Sequence, residues 1–221
     1  MIRQTFEREL QRLQTEMLAL GSMVEKALLE SVECLKRRDL ECASRLIADD
    51  REINAKRYAI EADCLTLIAT QQPMAGDLRT IAAILEITTE LERTGDYAKG
   101  ISKISQLIGA EPLIKPLVDI PKMAHKACDM LARALQAFAE RDAEAAHAIP
   151  LEDDEVDALY NQVYRDLLAI MIADHSKIDQ ATHLLWAAHN LERAADRVTN
   201  ICERVIFTVQ GRMIEVDTED L

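Results

Sequence analysis

The sequence predicts an all-α fold of two tandem antiparallel three-helix bundles related by internal pseudo-twofold symmetry, and three observations carry that prediction. Leu91-Glu92-Arg93-Thr94-Gly95-Asp96 returns 100 residues later as Leu191-Glu192-Arg193-Ala194-Ala195-Asp196, so the chain is two copies of one unit. Six glycines, five prolines and 4% aromatics among 221 residues, against abundant Ala, Leu, Ile and Glu, are the composition of a helical protein. Apolar residues also recur in alternating steps of four and three, at Leu184, Ala188, Leu191, Ala195, Val198, Cys202 and Val205. That is the seam of antiparallel bundle packing, and Ile84, Thr88, Leu91, Gly95 and Ala98 repeat its register. With 49% of residues hydrophobic, a sizeable core can form.

Punctuation sets the elements in order. A first helix over 3–38 ends on Lys36, Arg37 and Arg38, cations that suit the negative end of a helix, and Asp39 opens a second helix over 39–71. The segment 71–76 contains Pro73 and Gly76 and reads as a turn, with Asp77 as N-cap of a third helix over 77–108. Residues 109–121 carry Pro112, Pro116 and Pro121 without helical period and read as a linker. A fourth helix over 119–141 closes at Arg141-Asp142, 103 residues after Arg38-Asp39. The fifth, over 142–172, is interrupted by Pro150 where its counterpart has Ile47, which predicts a kink. A turn over 173–178, with Asp179 as cap, leads into the sixth helix over 179–210, closed by Gly211. The chain thus divides into a first three-helix unit over 1–110, a linker over 111–121, a second unit over 122–210 and a flexible acidic tail over 211–221.

A net charge of -13 with no basic stripe argues against nucleic acid as a partner and favours cations or basic surfaces. The N-terminus is charged and amphipathic, without a signal-like apolar region. The longest uncharged apolar run, 167–173, falls well short of the ~20 residues of a membrane span. Cys34, Cys42, Cys64, Cys128 and Cys202 form no C-x-x-C pair and are expected as buried, reduced thiols. Together these features predict a cytoplasmic protein without membrane insertion.

The repeat carries chemistry as well as symmetry. Glu92 and Asp96 are spaced i, i+4, as are Glu192 and Asp196, so each pair lies on one helix face. Like charges so placed cost about a few tenths of a kcal/mol unless a cation sits between them. The second and fifth helices align at an offset of 103, matching Asp50 with Asp153 and Asn54 with Asp157. Equal rise on antiparallel neighbours puts Asp157 level with about Asp196 and Asp153 with about Asn200. In the first half it puts Asn54 near Asp96 and Asp50 near Gly100. The candidate metal ligands are therefore Asp50, Asn54, Glu92 and Asp96 in one half, and Asp153, Asp157, Glu192 and Asp196 in the other. At the e and b positions they flank the seam, so an acidic patch open to solvent is expected.

Oxygen donors of this kind suit divalent or trivalent ions, namely Mg²⁺, Mn²⁺, Ca²⁺ or iron, whereas zinc would call for Cys or His. His189 shares the stripe but Thr89 replaces it in the first half, so it reads as a surface histidine. The competing reading is a solvated acidic face neutralised by Arg93, Arg193, Arg197 and Lys99. Recurrence of the cluster in both halves at matched register favours metal.

These motifs resemble the PhoU family, the accessory proteins of bacterial phosphate-specific transport. The resemblance rests on Leu-Glu-Arg-x-x-Asp twice, on Gln-Gln-Pro-x-x-x-Asp-Leu-Arg over 71–79, on Met23-Val24-Glu25, and on Asn200-Ile201-Cys202-Glu203. It covers roughly residues 5–212. It implies two three-helix bundles and a cytoplasmic, often dimeric protein without catalytic activity. It further implies a negative regulator that, when phosphate is plentiful, couples the ATPase subunit of the Pst phosphate ABC transporter to a PhoR-type sensor histidine kinase. The family's E(D)xxxD motifs, which bind multinuclear metal clusters in some members, fall here on Glu92 and Asp96, Glu192 and Asp196, Asp50, and Asp153 with Asp157. Asn54 departs from the acidic pattern, and Ala194-Ala195 replaces the usual Ile-Gly without touching the ligands.

Two other classes compete. A ferritin-like carboxylate metalloprotein would need Glu-x-x-His on two facing helices, and the chain has one such spacing, Glu144 to His147. A helical scaffold without metal is the other. No Gly-rich phosphate loop, Ser-His-Asp set or reactive-cysteine pattern supports an enzyme.

Overall fold

Two left-handed arginines mark the same corner of each repeat. Arg38 and Arg141 both take φ 58°, and the aspartate after each caps the next helix. Asp39 accepts from the Cys42 amide, and Asp142 from those of Glu144 and Ala145. The structure, a computed structural model, describes residues 2–215 and contains helices and no strand among them. The first unit comprises α1 (Ile2–Arg37), α2 (Leu40–Gln71) and α3 (Ala75–Ile108). The second comprises α4 (Asp119–Glu140), α5 (Ala143–Ala148), a 3₁₀ turn (Ile149–Glu152), α6 (Asp153–Ala173), a second 3₁₀ turn (His175–Lys177) and α7 (Ile178–Gln210). Helices α1, α2 and α3 pack on one another, as do α4, α6 and α7. The bundles join where α3 lies along α7 and α1 along α4.

The seam is buried as its spacing predicts. Leu91, Leu184, Leu191, Ala195, Cys202 and Val205 are fully inaccessible, with Ile84 and Ile87 beside them. Close approach between bundles depends on Gly21. A Cβ there would stand 2.2 Å from Leu135 Cδ1, so the leucine fills the space that the glycine leaves on α1. The linker is pinned to the second bundle rather than loose. The Ile114 amide donates to Gln180 Oε1 at 2.6 Å, and Gln180 Nε2 donates to the Pro112 carbonyl at 3.1 Å. Pro121 belongs to the first turn of α4, where its missing N–H has no intrahelical partner to lose.

Several boundaries differ from expectation, for local reasons. Helix five is divided, because Pro150 cannot donate and the chain passes through a 3₁₀ turn with that proline at its start. Asp77 is not the cap of α3. That helix opens at Ala75 behind Met74, and Asp77 sits in the first turn, near the positive end of the helix. Likewise Asp179 does not cap α7 but lies in its first turn behind Lys177, and Asp174 caps the preceding 3₁₀ turn by accepting from the Ser176 amide and hydroxyl. The expectation of five reduced thiols is corrected at two positions. The tight Arg38-Asp39 corner brings the end of α1 against the start of α2, and Cys34 and Cys42 are joined there as a disulfide with Cα atoms 5.9 Å apart. Cys64, Cys128 and Cys202 are free and buried. Gly211 closes α7 with φ 72°. Most of the acidic tail, residues 216–221, lies outside the described residues.

An exposed arginine at φ 58° carries the steric cost of the left-handed region, which glycine lacks. Arg38→Gly is expected to raise the unfolding free energy by up to about 1 kcal/mol in urea titration. Arg141→Gly should gain less, because Arg141 Nη2 also donates to the Thr208 carbonyl at 3.1 Å and that bond would go. Equal gains at both corners would contradict this account.

Candidate metal centre

In the second bundle the four predicted carboxylates lie on two packed helices and act on one another electrostatically. Asp153 and Asp157 stand one turn apart on α6, and Glu192 and Asp196 one turn apart on α7, which packs against it. The fields they exert on one another show in their proton affinities. Asp153 is pushed up to about 7, first by burial and then by Asp196, Asp157 and Glu192 in turn. Asp157 is raised by burial and by Asp196. Glu192 is raised by burial and by Asp196, with His189 opposing. The strongest cross-helix partner of Asp153 is thus Asp196, about one turn from the level that equal rise assigned to it. The Oε2 of Glu192 is buried without a hydrogen bond, although it lies 3.2 Å from His189 Nδ1. Asp196 Oδ2 lies 3.4 Å from Arg193 Nη1.

The first bundle solves the same electrostatic problem internally. Lys99 Nζ lies 2.6 Å from Asp50 Oδ2 and 3.7 Å from Asp96 Oδ1, and Asn54 Nδ2 donates to the same Asp50 oxygen at 3.0 Å. Asp50 is 4% exposed, so this carboxylate is buried and paired rather than part of an open patch. Glu92 is raised by burial and by Asp96, and is held down in part by Arg57. The offsets of 100 and 103 place Thr199 where Lys99 stands and Tyr160 where Arg57 stands. The first cluster therefore has three carboxylates with two cations, and the second has four carboxylates without those two.

The neutralising cations expected from the sequence divide accordingly. Lys99 and Arg193 reach the clusters, whereas Arg197 turns to Glu90 at 3.4 Å, where Asn200 joins it. Arg57 was not singled out by sequence reasoning, and the signal that finds it is its alignment with a tyrosine. His189 is half exposed yet leans on Glu192 and lies near the Tyr160 ring, so it borders the second cluster. Among the described residues no three His, Cys, Asp or Glu side chains stand close enough to hold one ion as they are placed. The donor set still fits a hard cation. It is all oxygen, it includes a buried acceptor without a partner on Glu192, and its mutual repulsion is what a cation would relieve.

Other chemistry finds little support. Burial pushes the Cys64, Cys128 and Cys202 thiols up to about 12, which leaves them poor nucleophiles. His147 of the single Glu-x-x-His spacing lies against Gln210, not in a carboxylate cluster.

Both bundles match a family model, the PhoU domain, over residues 17–105 and 120–205. The chain belongs to the PhoU family. It is 37% identical over 98% of its length to the phosphate-specific transport system accessory protein PhoU homolog of Clostridium acetobutylicum, all of which is covered. The crystal structure of the phosphate transport system regulatory protein PhoU from Streptococcus pneumoniae superposes with a TM-score of 0.87 at 31% identity, covering 95% of this chain and 99% of that one. PhoU from Pseudomonas aeruginosa gives 0.88 at 32%, covering 94% and 100%. The PhoU fold is thus present in both repeats, and the repeats differ in how their acidic clusters are neutralised.

The raised affinity of Asp153 fixes the sign of a pH effect. Its folded value, about 7, lies above the ordinary 3.8, so the folded state binds the extra proton between those limits. Stability from this site is therefore lost as the pH rises from about 4 through 7. In chelator, Asp153→Asn is expected to be more stable than wild type at pH 8, with the difference closing as the pH falls toward 4. Urea denaturation at several pH values checks this, and a difference independent of pH would contradict it.

Proposed function

We propose that this protein is a cytoplasmic, homodimeric regulatory adaptor of phosphate homeostasis. In this reading it restrains phosphate-starvation signalling when phosphate is plentiful, by coupling the ATPase subunit of a phosphate ABC transporter to a PhoR-type sensor histidine kinase. The observation that carries it is PhoU-family membership across both bundles. Consistent with an adaptor, no described helix is long and apolar enough to cross a membrane, and the net charge of -13 suits protein partners rather than nucleic acid. Deleting the gene should switch on phosphate-starvation genes in phosphate-replete medium, read as transcript levels. Unchanged expression in the deletion strain would sink the reading.

Metal enters this reading as a structural or tuning element. Asp153, Asp157, Glu192 and Asp196 would hold a divalent or trivalent ion, Mn²⁺, Mg²⁺, Ca²⁺ or iron, after modest side-chain rotation. The ion would supply charge neutralisation at a cluster that lacks the counterparts of Lys99 and Arg57. Asp50, Asn54, Glu92 and Asp96 would bind more weakly, since Lys99 already takes the place of an ion beside Asp50. Binding to the folded state alone stabilises it by about 2.7 kcal/mol at a hundred times Kd. A thermal melt with Mn²⁺, Mg²⁺ or Fe²⁺ against chelator should therefore show a higher Tm with metal, largely lost in Glu192→Gln/Asp196→Asn. No shift in wild type, or a full shift in the variant, would leave only a solvated acidic face.

A further inference from the structure

We propose that a cavity in the first bundle binds a small organic cation, an ammonium or guanidinium on a short aliphatic chain, in the place that the second bundle fills with its own Lys126 and Arg133. The cavity has a volume of about 430 Å³, within the range of small-molecule sites, and opens between α1, α2 and α3. Ala27, Leu46, Ile53 and Ala98 give it an apolar wall. Its polar lining has one more acid than cations.

The internal repeat says what is missing. At the equivalent place in the second bundle, α4 supplies Lys126 and Arg133. Lys126 Nζ contacts Glu152 at 2.7 Å and Glu155 at 2.8 Å. Arg133 grips Glu152 with both terminal nitrogens, at 2.7 and 2.6 Å. The offset of 103, fixed by the matched corners at Arg38 and Arg141, aligns Glu152 with Asp49 and Glu155 with Glu52. The acids are therefore kept in the first bundle. Their partners are not, because Met23 stands at the position of Lys126 and Glu30 at that of Arg133.

The three cations of the cavity are taken up by two of its own four acids, which leaves Asp49 and Glu52. Lys99 is paired with buried Asp50, and Lys26 and Arg45 both lean on Glu30, at 3.8 and 3.5 Å, with side chains largely in solvent. Asp49 and Glu52 make no ion pair among the described residues. Asp50 lines the cavity, and its Oδ1 is buried without a hydrogen-bond donor. An occupant with N–H donors and a methylene chain meets each of these features: carboxylates at the mouth, an apolar wall, and an acceptor in want of a donor. A bare metal ion would leave the wall unused and would meet the Lys99 ammonium beside Asp50. An anion would face the surplus acid.

Isothermal titration of the full chain with agmatine and with putrescine tests this, in chelator and in the Glu192→Gln/Asp196→Asn background, so that neither metal at Asp50 nor the acidic quartet of the second bundle competes. The expected result is one-to-one binding of at least one of them. It should weaken by about tenfold or more in Asp49→Asn/Glu52→Gln, which alters only exposed side chains. It should vanish in Met23→Lys/Glu30→Arg, which writes the second bundle's cations into the first. Circular dichroism establishes that both variants fold, and the surface variant decides the matter if the other does not. Failure of both amines to bind, binding that both folded variants retain, or inorganic phosphate binding to this cavity in their place would each overturn the proposal. Because the readout is amine binding, it is independent of the deletion phenotype and of the metal-dependent melt.

Discussion

Because α3 and α7 each pack against helices of their own bundle and against one another, their seam is constrained from several sides at once. Leu91 and Leu191 are fully buried at equivalent points of it. Close packing of that kind fixes the rotation of each helix, since a turn of even one residue would carry polar groups into the core. Once rotation is fixed, everything beside the seam is fixed too. Glu92 and Asp96, and Glu192 and Asp196, are brought against α2 and α6 because the apolar residues between them have no other place to go.

That constraint explains why both bundles face the same electrostatic problem, and the repeat shows two solutions to it. The first bundle places Lys99 one turn beyond Asp96, within reach of Asp50 on the neighbouring helix, and adds Arg57 near Glu92. The second places Thr199 and Tyr160 at those positions, and burial and then the neighbouring carboxylates raise Asp153, Asp157 and Glu192. The contrast reverses at the α1–α2 and α4–α6 faces. There the second bundle closes its acids with Lys126 and Arg133, and the first leaves a cavity. The two bundles share a skeleton of apolar contacts and differ in which acidic face is the more fully paired with internal cations.

The seam, the helix count per repeat apart from the Pro150 break, and the placing of the acid pairs on packed helices were legible in the sequence because each follows from periodicity. A spacing of three and four, or an offset of 100 or 103, survives whatever the side chains do. What was not legible depends on rotamers and on which helix end a residue meets. Lys99 could be named as a neutralising residue, but its reach to buried Asp50 needs the α2–α3 distance. The caps at Asp77 and Asp179 failed because Pro73 and the 3₁₀ turn before α7 let each helix begin ahead of its aspartate. The Cys34–Cys42 link follows from a tight corner that spacing alone does not describe. The cavity is least legible of all, since its want of cations shows only when Met23 and Glu30 are set against Lys126 and Arg133 of the partner repeat.

The cost of the second acidic cluster is the strongest physical argument about what it does. Gathering carboxylates with partial burial is unfavourable, and it raises the proton affinity of Asp153, first through burial and then through Asp196, Asp157 and Glu192. A fold with no use for the arrangement has an inexpensive remedy, a lysine one turn along the helix, and the first bundle contains that remedy in the same framework. Four acids with only Arg193 and His189 at their edge, and a buried Glu192 oxygen without a hydrogen bond, are therefore not forced by the architecture. Under the proposed metal reading, a cation would relieve this repulsion across α6 and α7. Its occupancy would then change how firmly the two helices hold together, which is how the proposed metal would act on an adaptor's docking face.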